Sequence, residues 1–180
     1  MKTRNHYIVP FGGLKKGVHF FDFEAEDEFF EEYDALEVST GHLDIHIDMI
    51  KEASLLSFDI IIKGKVYVQC DRCLDFYYQD IGFEGKLFVK FSERTEADDA
   101  LDEVIFLHPG DNEINLKHYI YESISISMPY KKIHPDINGV STCNKEMIMQ
   151  LNKHHSRSGI KNENHTWDKL KDLLGTNNNI

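Results

Sequence analysis

Three cysteines and one histidine are the side chains in this sequence with the clearest capacity for chemistry. Cys70 and Cys73 form a C-x-x-C pair, Cys143 is the third cysteine, and His134 precedes Cys143 in a loop-like segment. Two thiolates at C-x-x-C spacing can bind one side of a tetrahedral zinc ion (Zn²⁺), whose remaining ligands are commonly cysteine or histidine. The residue types and their spacing therefore predict a zinc site made of Cys70, Cys73, His134 and Cys143. Four protein ligands leave no position for a catalytic water, so the expected site is structural.

Three other interpretations of the cysteines remain open at this level. A redox-active pair opens a helix in a βαβ unit, whereas strand-like sequence flanks this pair and Asp71 opposes formation of the thiolate. A cysteine–histidine nucleophile would need an oxyanion-binding motif, and none accompanies it. The third interpretation is that the three thiols are simply small buried apolar side chains.

Composition and charge exclude several classes of protein. Apolar residues make up 41% of the 180 residues, which is enough for a sizeable core, and no apolar run approaches the roughly 18 residues of a membrane span. The N-terminus lacks the apolar stretch of a secretory signal, and P-loop, Rossmann and zincin motifs are absent. We therefore expect a soluble, cytoplasmic protein with no membrane partner and no small-molecule substrate.

The net charge of −11 is unevenly distributed. Residues 1–130 carry 26 acidic and 12 basic side chains, whereas residues 131–180 carry 5 acidic and 8 basic ones. Because affinity for nucleic acid comes mostly from neutralising phosphates, an acidic body disfavours bare RNA or DNA and favours basic partners. A local basic patch can still contact RNA.

Alternating apolar positions predict the strands that must carry the first two cysteines. Such alternation indicates antiparallel strands with one buried face. The alternating residues are Leu43, Ile45, Ile47 and Met49, then Leu56, Phe58, Ile60 and Ile62, then after Gly64 Val66, Val68 and Cys70, and, across Gly85, Phe83, Leu87, Val89 and Phe91.

Helical spacing follows mainly in the C-terminal half. Leu116, Ile120 and Ile124 share one helix face that ends near Pro129, and a second helix is expected over 144–154. A short acidic helix is also expected within residues 22–37. The predicted fold class is α+β, with a curved antiparallel β-sheet or partial barrel and a few packing helices, mostly C-terminal. Residues 1–150 are expected to form a single domain, followed over 151–180 by a linker and a short amphipathic helix.

The order of the motifs along the chain resembles a known family. In order, the motifs are the segment from Gly64 to Leu74 with the C-x-x-C pair, Asp102-Glu103-Val104, Ile114-Asn115-Leu116, Met128-Pro129, His134 and Cys143. Over roughly residues 40–150 this resembles the YceD family, the large ribosomal RNA subunit accumulation proteins. The segment Pro10–Lys15, the Phe29-Phe30 pair and the segment around Trp167 are similar to versions of the family from the Bacteroidetes group.

The resemblance implies a role in accumulating large-subunit ribosomal RNA, and hence in ribosome biogenesis. It also implies that Cys70, Cys73 and Cys143 occupy family positions. The expected protein is a non-enzymatic factor without catalytic residues, whose partner is ribosomal RNA or a basic large-subunit ribosomal protein. Arg72, Lys131 and Lys132 would lie near the zinc site and contact phosphate. The alternative is a thiol-redox or metal-dependent enzyme acting in RNA metabolism.

Overall fold

Three consecutive strands of 14, 15 and 16 residues form the centre of the protein. The computed structural model describes residues 7–33, 38–92 and 104–157. In chain order the elements are β1 (Ile8–Pro10), β2 (Gly17–Ala25), α1 (Asp27–Glu31), β3 (Val38–Lys51), β4 (Leu55–Gln69), β5 (Phe76–Phe91), β6 (Val104–Leu107), β7 (Glu113–Asn115), α2 (Lys117–Ser127), β8 (Asp136–Ile137), β9 (Val140–Ser141) and α3 (Lys145–Arg157). The predicted α+β class is confirmed, and the two longer helices follow the sheet.

The main sheet is open and has the strand order β2-β3-β4-β5-β6. Strands β2 to β5 form an antiparallel meander, as the alternation predicts. Strand β6 instead pairs parallel with β5, with Phe88 opposite Val104, so the sheet is mixed. The loop expected over 93–103 lies outside the described residues.

Strands β4 and β5 are longer than their sequences indicate. Breaks are expected at Gly64 and Gly85, yet both strands run through these glycines. At Gly64 the reason is steric: a Cβ there would overlap the carbonyl oxygen of His42 and lie 2.9 Å from the Cα of Leu43. Glycine therefore permits a close approach of β3 and β4 without ending the strand.

The two faces of the sheet differ sharply in chemistry. The inner face holds the alternating apolar side chains and is covered by α1, α2 and the small β1–β7 pair. Phe29 and Phe30 of α1 and Ile120 and Ile124 of α2 are buried there. The opposite face, called the outer face below, carries the charged side chains of β2 to β5 except Lys51, whose ammonium donates to the carbonyl oxygens of Phe11 and Leu14.

The C-terminal elements connect this sheet to the candidate site. Residues 128–144 include the short hairpin β8–β9, with Asn138 and Gly139 at its turn, both with positive φ. Helix α3 begins after Asn144, whose Oδ1 accepts a hydrogen bond from the backbone N–H of Glu146 (3.0 Å). The helix expected around Trp167 lies outside the described residues. Within the described ranges, no helix combines the length and apolar character needed to cross a membrane.

Candidate metal centre

The C-x-x-C pair occupies the turn that joins β4 to β5. Cys70 directly follows the last residue of β4, and its backbone N–H donates to the carbonyl oxygen of Asp75 (2.9 Å). The backbone N–H of Leu74 donates in turn to the carbonyl oxygen of Cys70 (2.9 Å), and Leu74 adopts a left-handed conformation with φ 63°. This tight turn directs both cysteine side chains inward, where Cys70 and Cys73 are fully buried.

A second segment brings His134 and Cys143 to the same place. The backbone N–H of Asp71 donates to the carbonyl oxygen of Lys132 (2.7 Å), which places the chain beside the turn two residues before His134. After the hairpin, the Nδ2 of Asn144 donates to the Oδ2 of Asp75 (2.9 Å), one residue beyond Cys143. Hydrogen bonds on both sides therefore align the two segments.

The four predicted ligand atoms converge on one point. The Cys70 and Cys143 sulfurs are 4.0 Å apart, and the His134 Nδ1 lies 3.4 Å from the Cys73 Sγ and 3.9 Å from the Cys143 Sγ. All four ligand atoms lie within 4.8 Å of one another. Around a tetrahedral zinc ion, sulfur and nitrogen ligands would be about 3.5 to 3.8 Å apart. The cluster therefore fits zinc after small side-chain adjustments.

Burial and donor type also fit a structural zinc site. The three cysteines are at most 5% exposed and His134 is half-buried. Thiolate sulfur and imidazole nitrogen together favour zinc over hard cations such as magnesium or calcium, which prefer oxygen ligands.

The turn itself favours ionisation of Cys70. Burial opposes the charged form and would raise the pKa of this thiol, but hydrogen bonds from the backbone of Cys73 and Arg72 and from His134 lower the pKa to about 6. These hydrogen bonds therefore favour the thiolate of Cys70, the form that binds metal.

Cys73 has the opposite tendency. Burial raises the pKa of its thiol, and the neighbouring Cys70 and Cys143 sulfurs raise it further. Backbone hydrogen bonds from Asn144 and Asp75 lower the pKa but offset this rise only in part. Three thiolates would repel one another without a cation between them. Metal binding to the cluster would therefore release a proton from Cys73.

The surroundings argue against a thiol-redox pair. Low-pKa redox cysteines commonly sit at a helix N-terminus, whereas Cys70 and Cys73 lie between two strands. Cys143 also lies at the distance of a third ligand. The three cysteines are free, with no disulfide among them.

The predicted RNA-contacting residues lie beside the cluster. Arg72 and Lys131 are exposed and Lys132 is half-buried. Because Asp71 bonds to Lys132 through the backbone, these residues come from two adjoining segments at one end of the sheet. Their contact with RNA stays a prediction.

Several supporting residues were not apparent from sequence. Tyr77 packs its ring against that of His134, with centroids 4.6 Å apart, and burial followed by the negative charges of Cys70 and Asp71 raises the pKa of its hydroxyl. Asp71 and Asn144 provide the hydrogen bonds described above. No sequence signal distinguishes Tyr77 from its aromatic neighbours Phe76 and Tyr78.

Comparison with known proteins identifies a family. A family model described as "Large ribosomal RNA subunit accumulation protein YceD" matches residues 58–174, more than half of the chain and including all four residues of the cluster. No curated protein and no solved structure matches the chain.

Proposed function

The chain belongs to the YceD family of large ribosomal RNA subunit accumulation proteins, and on this premise we propose that it is a cytoplasmic, non-enzymatic factor supporting the accumulation of large-subunit ribosomal RNA. The observation that carries the proposal is the family match over residues 58–174, which begins in β4 and includes the whole cysteine–histidine cluster. The family is described by accumulation of an RNA and not by a reaction.

The proposed role of the cluster is structural. Zinc bound by Cys70, Cys73, His134 and Cys143 would join the β4–β5 turn to the segment before α3. Because such a site is absent in the unfolded chain, metal binding contributes directly to folding. A full set of protein ligands leaves no room for an activated water, which also favours the non-enzymatic role.

The proposed partner is a basic large-subunit ribosomal protein. The net charge of −11 supports this choice, because a strongly acidic protein attracts basic chains and speeds their association. A ribosomal RNA precursor is the second candidate. Arg72, Lys131 and Lys132 favour it, since they place three cations beside the cluster at one end of an otherwise acidic protein.

The proposal is tested in cells lacking the gene. Deletion is expected to lower the ratio of large-subunit to small-subunit ribosomal RNA, and the wild-type gene is expected to restore it. The Cys70→Ser/Cys73→Ser variant should restore it poorly, with immunoblotting to show how much of the loss follows from lower protein levels. An unchanged RNA ratio after deletion would contradict the proposed function.

A further inference from the structure

Three aromatic side chains lie side by side on the outer face, next to the β4–β5 turn. The ring of Tyr67, on β4, stacks against that of Phe76, on β5, with centroids 5.4 Å apart and planes at 22°. The Tyr67 ring also lies 4.9 Å from that of Tyr78, its partner across the two strands. Phe76 is 45% exposed and Tyr78 is 62% exposed. Contiguous exposed apolar side chains, unlike single ones, mark interaction sites.

Leu74 continues this aromatic group into the turn. It is 54% exposed and has φ 63°, a left-handed conformation that is unfavourable for a residue with a Cβ atom. Asparagine or glycine would fit the turn with less strain and without exposing an apolar side chain. Folding of the turn therefore does not explain Leu74, whereas a binding role does. We call Tyr67, Leu74, Phe76 and Tyr78 the turn patch.

A cleft of about 460 Å³ opens at the turn patch. Its volume lies in the range of ligand-binding clefts, roughly 300 to 1,000 Å³. Leu74 and Phe76 line it together with Gln69 and Lys132. Aromatic rings stack on nucleobases, amides form hydrogen bonds with base edges, and lysines bind phosphate. The residue types around the cleft therefore suit a nucleotide.

The two halves of the outer face differ in charge. The half on β2 and β3 has four carboxylates, those of Asp22, Glu24, Asp44 and Asp48, and neither strand contains a lysine or arginine apart from Lys51 on the other face. The half on β4 and β5 has four lysines and three carboxylates, and three ion pairs join them. The pairs are Lys63–Glu84 (3.5 Å), Lys65–Asp80 (3.7 Å) and Lys86–Asp59 (2.6 Å). The sheet beside the turn patch is therefore close to neutral, whereas the far half is acidic.

The turn end of the sheet adds positive charge. Arg72 and Lys131 are exposed, and Lys132 lines the cleft. The two carboxylates of the turn already accept hydrogen bonds within the protein. That of Asp71 accepts from the backbone N–H of Lys132 (2.8 Å), and that of Asp75 from an asparagine side chain (2.9 Å). Cations and exposed rings therefore meet at this end of the molecule.

We propose that the turn patch binds single-stranded RNA, with bases stacked on Phe76 and Tyr78 and the adjoining phosphates bound by Arg72, Lys131 and Lys132. This inference rests on the proposed function and gives its second candidate partner, a ribosomal RNA precursor, a binding surface. The acidic half of the outer face repels phosphate, so the RNA is confined to the turn end.

The form of the RNA follows from the chemistry of the patch. An unpaired base presents a free aromatic face to a protein ring, whereas bases within a duplex cover one another. Stacking of this kind tolerates any base, so it selects single strands and not a particular sequence. A basic protein segment fits this surface less well, because Arg72, Lys131 and Lys132 would repel it.

The test is direct binding of the full-length protein, purified with ample zinc, to fluorescent probes of equal length. An unstructured 12-nucleotide RNA is expected to bind more tightly than its abasic counterpart, which keeps every phosphate but has no bases. The Phe76→Ala/Tyr78→Ala variant should lose roughly 10- to 100-fold in affinity for the RNA, the effect of removing two base–aromatic stacks. Its affinity for the abasic probe and its salt-dependence slope should not change, because no phosphate contact is removed.

Two control variants isolate the aromatic rings. Phe20→Ala removes a ring that is also exposed on the outer face (64%), but on the acidic half, where it stacks against His46. The exchange variant Phe76→Tyr/Tyr78→Phe keeps both rings at the turn patch. Both controls are expected to retain wild-type affinity for the RNA. Melting temperatures would verify that every variant is folded.

Photocrosslinking of the wild-type protein gives a second measurement that needs no substitution. RNA containing 4-thiouridine is crosslinked to the protein, and the modified residues are identified by mass spectrometry. Crosslinks are expected at Phe76 or Tyr78. Crosslinks confined to β2 and β3 would overturn the proposed site.

Three binding results would also overturn it. They are equal affinity for the RNA and the abasic probe, equal losses in Phe76→Ala/Tyr78→Ala and Phe20→Ala, and tighter binding of an arginine–serine peptide than of RNA at the same patch. If deletion of the gene lowers the RNA ratio in cells but the protein binds no single-stranded RNA, this inference fails while the proposed function stands. If deletion leaves the ratio unchanged while RNA binds at the turn patch, the proposed function fails and the binding site remains.

Discussion

Asp71 and Lys132, 61 residues apart in sequence, hold each other through two hydrogen bonds. The backbone N–H of Asp71 donates to the carbonyl oxygen of Lys132 (2.7 Å), and the backbone N–H of Lys132 donates to the Oδ2 of Asp71 (2.8 Å). Neither residue belongs to the cysteine–histidine cluster. The position of His134 relative to Cys70 and Cys73 therefore depends on bonds made outside the cluster.

Substitution of Asp71 is expected to weaken zinc binding without removing a ligand. Asp71→Ala eliminates the side-chain bond to Lys132, and loss of such supporting interactions typically lowers metal affinity by about 10- to 100-fold. Competition with a chromophoric chelator measures the change. Asp80→Ala, an exposed carboxylate on the same hairpin, is the control and should retain wild-type affinity. Equal affinities in the two variants would show that the Asp71–Lys132 bond does not support the site.

Purified protein is expected to contain about one zinc ion per chain. Chelation should lower its melting temperature markedly, because a bound metal would join two distant segments and contribute to folding. Elemental analysis and thermal melting before and after chelation check both points. Protein prepared with ample zinc and reductant that contains no metal and ignores the chelator would show that the cysteines only pack or undergo redox chemistry.

Cobalt substitution is expected to reveal three sulfur ligands and one nitrogen ligand in a tetrahedral site. His134→Ala should keep the sulfur-to-cobalt charge-transfer absorption and change the visible bands, because water would replace the imidazole. His118→Ala is the control, since His118 is exposed on α2 and pairs with Glu122 (3.2 Å). Identical spectra for wild type and His134→Ala would mean that His134 is not a ligand and that the site has an open position.

Binding of RNA is expected to depend on the cations beside the cluster. Substituting Arg72, Lys131 and Lys132 together with alanine should weaken binding of a large-subunit RNA fragment. The plot of log affinity against log salt concentration should become less steep, its slope decreasing in magnitude by about 2 to 3. The reason is that each phosphate that is no longer neutralised reduces the slope by a little less than one. Lys63, Lys65 and Lys86 provide a control with the same change in net charge, since each is paired with a carboxylate on the outer face. If the two triple variants give the same binding across a salt series, the predicted RNA contact is wrong.

Gly64→Ala is expected to destabilise the fold by about 1 to 3 kcal/mol, because the added Cβ would overlap backbone atoms of β3 and force the strands apart. Gly82→Ala is a close control. Gly82 pairs with Lys63, next to Gly64 in the same two strands, and a Cβ there meets nothing within 4 Å. Chemical denaturation of both variants gives the comparison, and a Gly64→Ala protein as stable as Gly82→Ala would contradict the proposed close approach.

Local sequence patterns account for much of the sheet and for half of the candidate site. Alternation places Ile45, Ile60 and Leu87 on the buried face, and the C-x-x-C spacing places Cys70 and Cys73 at a turn. Alternation makes no assignment at Phe76, Tyr77 and Tyr78, because three consecutive aromatic residues show no contrast in hydropathy. In the structure only Tyr77 of the three is buried, while Phe76 and Tyr78 are exposed.

The remaining features depend on contacts between segments far apart in sequence. The parallel pairing of β6 with β5 has no local signature, because the sequence Val104–Leu107 is equally compatible with pairing at either edge of the sheet. The approach of His134 to Cys73 depends on the Asp71–Lys132 and Asp75–Asn144 bonds, which no spacing rule contains. Residue types could therefore nominate the four ligands, but only tertiary contacts bring them together.

The separation of the ligands along the chain has a consequence for the order of folding. Cys70 and Cys73 become available as soon as the β4–β5 hairpin forms, whereas Cys143 is added 73 residues after Cys70. A metal ion captured early would have two protein ligands and would exchange readily. Once all four are in place, a bound ion would act as a cross-link closing a long chain loop, and the entropy of that closure would destabilise the unfolded state. Slow dissociation of the metal ion would then indicate that Cys143 has been synthesised and has folded into the site.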